Sequence, residues 1–269
     1  MVLNSLLCDE RAALCYTIFS ARLDRVPGFD YNAATLDERE TYGMAPYTWL
    51  LFDADGTLFD YDRAEHLALE RTLAHFGFAM APGTLQAYQR VNGQMWAAFE
   101  QGTISSVELR VRRFELLFAE AGLPIAPAAF SELYLQNLGQ VSELLPGAQE
   151  VVPALAGRYQ LAVVTNGLQE VQRPRLQRSA IGKYFAQLII SEEVGAAKPD
   201  PAYFEAAFQR VGNPPKAAVL LIGDNWSSDI AGGNNYGLDT CWFNPGRQPR
   251  RGPVRYEIER LEELLEILG

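Results

Sequence analysis

Histidine is nearly absent from this chain, with two in 269 residues, and cysteine is scarce, with three. His66 and His75 fall outside any zinc-ligand spacing, so zinc chemistry and hydrolysis through a histidine base are both poorly supported. Cys8, Cys15 and Cys241 contain no Cys-x-x-Cys pair and leave one over in any pairing, which suits a reducing compartment. Basic residues are in deficit, 23 Lys and Arg against 33 Asp and Glu, for a formal charge of -10. A field of that sign repels polyanions, which argues against nonspecific binding to nucleic acid or to a membrane surface. An anionic substrate therefore needs local neutralisation. No apolar run approaches the roughly 20 residues of a membrane span. The first 20 residues, MVLNSLLCDERAALCYTIFS, lack a basic start and are interrupted by Asp9, Glu10 and Arg11, so they fail as a signal peptide. The expectation is a cytoplasmic protein without nucleic-acid or membrane partners, monomeric or weakly dimeric.

What is present is a 48% hydrophobic composition, enough for a proper core, and carboxylates in conspicuous places. Residues 1–43 lack sustained periodicity and read as an extension, poorly ordered or an upstream start-site artefact. From residue 47 the pattern is strand, then helices, then alternating strand and helix. Residues 63–142 are largely helical by the three- and four-residue spacing of their apolar positions. After them QLAVVTNG, AQLIIS, AAVLLIGD and DTCWFN are short apolar runs separated by helices over 168–180, PAYFEAAFQRVG and near 227–236. A final short strand and helix follow. This alternation predicts an α/β fold with a Rossmann-like, doubly wound parallel sheet and a helical insertion.

Sites in such sheets form at the carboxyl ends of the strands. Four predicted strand ends carry polar groups: Asp53 and Asp55; Thr165 with Asn166 and Gly167; Lys198; and Asp224 with Asp229. Taken singly, each has an ordinary explanation as a turn former, a helix cap or a surface loop. Jointly, they bring acids, a hydroxyl and one lysine to a single crevice. That set suits phosphoryl transfer. Asp53 and Asp224 supply hard oxygen ligands for Mg²⁺, and the cation answers the repulsion between crowded carboxylates. Asp53 is placed to attack phosphorus, Asp55 to protonate the leaving alkoxide and later to activate water, and Lys198 to offset charge. Thr165 and neighbouring backbone N–H groups suit the phosphoryl oxygens, Gly56 permits a tight turn, and Asp229 supports the metal ligands from behind.

DADGT, VVTNG, AAKPDP and GDNWSSD, in that order, resemble the four motifs of the haloacid dehalogenase superfamily of phosphohydrolases. The resemblance spans residues 46 to about 265. It implies a catalytic core over 44–61 and 143–269, a helical cap over 62–142, Mg²⁺-dependent catalysis through an aspartyl-phosphate on Asp53, and the backbone carbonyl of Asp55 as a further metal ligand. Within the superfamily the chain most resembles the YjjG-type pyrimidine 5'-nucleotidases, through VNGQMWAAFEQGTIS, RRFELLF, LLPGAQE and TNGLQEVQRPRLQRSAIGKYF. That subgroup often carries Glu where this chain has Gly56. The implied substrate is a nucleoside monophosphate. Trp96 is the candidate for stacking on a base and Arg113 for meeting a sugar or phosphate, although cap core and solvated helix face explain them equally well. Rival readings are a sugar-phosphate or phosphoglycolate phosphatase on the same scaffold and a non-catalytic phospho-ligand sensor.

Overall fold

The short apolar runs become strands because each is bounded by turn formers and is too brief for a helix, and six of them pair into one sheet. The computed structural model describes residues 47–269, so the expectations for residues 1–43 lie outside the described residues. The strands are β1 (Trp49–Phe52), β2 (Gln160–Thr165), β3 (Gln187–Ile190), β4 (Val219–Gly223), β5 (Asp239–Phe243) and β6 (Tyr256–Ile258). All neighbours pair in parallel, in the order β3-β2-β1-β4-β5-β6. The order reverses at β1, which is flanked by β2 and β4, so the carboxyl ends of β1 and β4 open on the switch point of the sheet.

Burial on both faces explains why these strands read as continuous apolar runs. Leu50 and Phe52 join one cluster with Val151, Val152 and Leu155 of α5 (Ala148–Ala156) and with Leu264 and Leu268 of α10 (Glu263–Leu268). Leu51, between them in sequence, joins the cluster on the opposite face with Tyr203, Phe204 and Ala207 of α8 (Pro201–Arg210). Each fully buried side chain of this size contributes about 1.5–3 kcal/mol.

Between β1 and β2 the chain makes four helices, α1 (Tyr61–His75), α2 (Thr84–Glu100), α3 (Ser106–Ala121) and α4 (Pro127–Gln140). Their starts follow local chemistry. The Asp60 side chain accepts from the Arg63 N–H at 3.0 Å, Ser105 and Glu108 form a capping box, and Pro127 occupies the first turn of α4. These helices share an aromatic cluster of their own, in which the Phe114 and Phe130 rings lie 4.9 Å apart. The two segments that cross between this insert and the sheet are paired: the Leu145 N–H donates to the Leu58 carbonyl at 2.9 Å and the Asp60 N–H to the Glu143 carbonyl at 3.1 Å.

The expected helix over 168–180 is α6 (Gln169–Arg178), and α7 (Ser191–Val194) is a single turn after β3. The helix expected near 227–236 differs from its prediction. It begins as a wide π-helical stretch over Trp226–Ala231 and tightens into α9 (Gly232–Tyr236). Asn225 caps its start, its side-chain oxygen accepting from the N–H groups of Ser227 at 3.0 Å and Ser228 at 3.1 Å, and the Ile230 N–H reaches back five residues to the Asn225 carbonyl at 3.3 Å, a wide turn that apolar periodicity cannot register. Among the described residues no helix is long and apolar enough to cross a membrane.

Candidate active site

The loop after β1 carries Asp53, the loop after β4 carries Asp224, and the π-helical stretch turns Asp229 back beneath them. These three carboxylates each offer an oxygen, and all three oxygens lie within 4.8 Å of one another. Lys198 reaches them from the loop before α8. Its side chain is 1% exposed, so the surface-loop reading of Lys-Pro does not hold. The Lys198 Nζ donates at 2.6 Å to Asp53 Oδ1, at 2.6 Å to Asp229 Oδ1 and at 2.9 Å to the Val164 carbonyl. Three acceptors satisfy the three ammonium protons.

Electrostatics follow from burial. Loss of water pushes Asp224 up to about 7, with the negative charge of Asp229 adding to it and the Thr57 hydroxyl, 3.0 Å away, opposing it. Burial likewise raises Asp53 well above the usual carboxylate range, against the pull of Lys198 and with the push of Asp229 and Asp224. For Lys198, burial favours the neutral amine, but Asp229 and Asp53 outweigh it and shift the ammonium upward. One lysine thus faces three acids. An all-oxygen set with surplus negative charge fits a hard divalent cation, for which Asp53, Asp224 and Asp229 each offer an oxygen, and the donors suit no soft metal.

A cavity of about 570 Å³ opens over this cluster. Asp53, Asp55, Thr165, Asn166, Lys198, Asp224 and Asp229 line its floor, and Tyr61, Glu65, Gln89, Asn92, Trp96 and Glu100 of the insert line its other side. Asn166 works on both: its oxygen accepts from the Lys198 N–H at 2.7 Å, and its amide donates to the Lys198 carbonyl at 2.7 Å and to Glu100 Oε1 at 3.0 Å. Gly56 has φ +85°, which favours glycine, and a Cβ there would come within 2.6 Å of Asp224 Oδ2, so in this chain glycine lets the two loops approach with the Asp224 side chain where it stands.

Two expected substrate contacts are placed differently. Arg113 does not reach the cavity. It is 1% exposed in the core of the insert, stacked 5.0 Å over Phe114 and 5.2 Å over Tyr134, and it touches the cavity wall only by donating to Asn92 Oδ1 at 3.0 Å. The reason is register: Leu109, Arg113, Phe114 and Leu117 form the buried stripe of α3. Gly167 does not line the cavity either, because its N–H donates to the Ser191 hydroxyl at 3.1 Å and its missing Cβ leaves room for Gln172. Trp96 does line it. Glu65, Gln89, Asn92 and Glu100 were not anticipated. Glu65 and Asn92 lie on the buried stripes of α1 and α2, and a polar residue on an apolar stripe is the signal that marks them.

The residues spanning 50–243 match the model of the haloacid dehalogenase-like hydrolases, and the chain belongs to that family. It is similar to the pyrimidine 5'-nucleotidase YjjG of Escherichia coli, with 36% identity over 82% of this chain and 98% of that protein. It is similar to the pyrimidine 5'-nucleotidase PynA of Streptococcus pneumoniae, with 36% identity over 82% of this chain and 95% of that protein. Among solved structures, the magnesium-bound HAD-hydrolase YfnB of Bacillus subtilis, for which interdomain movement is described, superposes with a TM-score of 0.78 at 35% identity, covering 83% of this chain and 99% of that one.

Proposed function

We propose that the chain is a Mg²⁺-dependent phosphomonoesterase that works through an aspartyl-phosphate on Asp53 and hydrolyses pyrimidine nucleoside 5'-monophosphates. The observation that carries the reaction is the cluster of buried Asp53, Lys198 and Asp229 with half-buried Asp224 at the floor of a cavity walled on its far side by the insert. In this reading, residues 62–142 are a cap over a core formed by 44–61 and 143–269.

Asp53 uses its free carboxylate oxygen to attack phosphorus, forming the Oδ–P bond as the bond from phosphorus to the 5'-oxygen breaks. The electron pair leaves on that oxygen, which takes a proton from Asp55 and departs as nucleoside. Asp55 then accepts a proton from water as the water oxygen attacks phosphorus, the Oδ–P bond breaks, and phosphate and Asp53 are regenerated. Lys198 holds Asp53 Oδ1, which leaves Oδ2 as the attacking oxygen. Thr165 and adjacent N–H groups receive the equatorial oxygens. A Mg²⁺ held by Asp53, Asp224 and the Asp55 carbonyl supplies positive charge to the phosphoryl group when bound.

The nucleotide assignment rests on the two named nucleotidases, whose likeness continues through the insert that lines the cavity. Trp96, which lines the cavity, is the residue proposed to stack on a base, a contact worth about 1–3 kcal/mol. Phosphate release with Mg²⁺ across nucleoside monophosphates and sugar phosphates tests it, with EDTA and Asp53→Asn as controls. Pyrimidine nucleotides should lead. Equal turnover of sugar phosphates would remove the substrate assignment and leave the reaction standing.

A further inference from the structure

Asp55 is held from behind by two side chains that the reaction as described does not use. Its Oδ2 accepts from Gln172 Nε2 at 2.6 Å, and its Oδ1 forms a short salt bridge to Arg175 Nη1. Both donors come from one face of α6, three residues apart, and both are buried, Gln172 at 3% exposure and Arg175 at 0%. Arg175 is also held by its Nε and by ring contacts, while its buried Nη2 has no hydrogen-bond partner. Its Nε donates to the Val141 carbonyl at 3.1 Å, where α4 ends, and its guanidinium lies 5.1 Å over Phe59 and 5.9 Å over Tyr61, where the chain enters the insert. The Asp55 carboxyl is therefore tied through one guanidinium to both chain crossings.

We infer that Gln172 and Arg175 are positioning residues for Asp55, fixing the direction in which its carboxyl meets the leaving oxygen and the attacking water. This rests on the reading of Asp55 as acid and base. The physical ground is that a carboxyl met at both oxygens by buried side chains of one helix has its rotation about the side-chain bonds removed. Gly167 belongs to the same device. A Cβ at that position would lie 2.8 Å from the Gln172 Cγ and Nε2, so glycine there leaves Gln172 free to reach Asp55.

The test separates proton transfer from general damage by the leaving group. A nucleoside alkoxide needs a proton to depart, whereas p-nitrophenolate does not. First-turnover release of leaving group is measured for a pyrimidine nucleoside 5'-monophosphate and for p-nitrophenyl phosphate, in the Mg²⁺-loaded protein and in Asp55→Asn, Gln172→Ala and Arg175→Lys. Asp55→Asn should slow nucleoside release by about 100-fold or more and nitrophenolate release far less. Gln172→Ala and Arg175→Lys should show the same asymmetry at about 10-fold, with folding checked by circular dichroism. Equal slowing of both substrates, or of neither, in the two α6 variants would overturn the inference. Should Arg175→Lys fail to fold, Gln172→Ala, which removes no charge, decides alone. If Asp55→Asn itself shows no asymmetry, the acid role of Asp55 falls, and the inference with it; if only the α6 variants lack it, that role stands and the inference fails.

Discussion

Lys198 sets the charge balance of the site, because it is the ammonium that stands between two buried carboxylates. Replacing it by methionine keeps most of the volume and leaves Asp53 and Asp229 facing each other without a counter-charge. Breaking a buried pair in this way costs about 3–5 kcal/mol, so Lys198→Met should lose that much stability in urea unfolding without metal. A change under about 1 kcal/mol would mean that the carboxylates are neutralised by other means. Asp53, Lys198 and Asp224 were legible only jointly, as polar residues after several apolar runs whose ends one parallel sheet gathers. Gln172 and Arg175 were not. In QEVQRPRLQR they look like a solvated helix face, and only their phase with Val171 and Leu176, which are buried on the same stripe, marks them as inward. Arg113 carried the same signal, and its position beside Phe114 made it core.

At the scale of elements, the turn after β4 decides whether the acids meet. Gly223 ends that strand, and a Cβ on it would lie 2.4 Å from Asp229 Oδ2 and 2.6 Å from Asp229 Cβ. The second contact is to the root of the side chain, which cannot swing away. Gly223→Ala should therefore move the π-helical stretch and displace Asp229 from Lys198. Changes behind a metal ligand of this kind cost about 10–100-fold in metal affinity, read as the Mg²⁺ concentration needed for half-maximal phosphate release. An unchanged Mg²⁺ requirement would show that the turn tolerates the shift. The strands were readable as short apolar runs bounded by turn formers, and the four insert helices from the period of their apolar positions. The π-helical register was not, because a stretch as short as Trp226–Ala231 shows no apolar spacing that separates a wide turn from an ordinary one.

Over the whole molecule, the acidic site opposes folding until a cation arrives. The folded value of Asp224, about 7, lies above its ordinary 3.8. The folded chain therefore binds this proton more tightly than the unfolded chain, and stability from Asp224 falls as pH rises through that window. The deficit is complete above it, and Asp53, shifted the same way, adds to it. With EDTA present, the thermal midpoint should drop between about pH 5 and about pH 8 on this account, and millimolar Mg²⁺ should restore it at the higher pH and do little at the lower. A Mg²⁺ effect equal at both values would contradict the assignment of these carboxylates to the metal. The reaction was legible at this scale because the sheet gathers four strand ends at one crevice; the far wall of the cavity was less so, since insert residues such as Glu65 and Asn92 reach it only through helix packing.

The central claim is that Asp53 carries the phosphoryl group between substrate and water. Acid quenching during turnover of a pyrimidine nucleoside monophosphate, followed by peptide mass spectrometry, tests it most directly. The account predicts one HPO₃ adduct on Asp53 in the native chain, and neither adduct nor phosphate release in Asp53→Asn. Phosphate release by Asp53→Asn at the native rate, or an adduct on another residue, would contradict it.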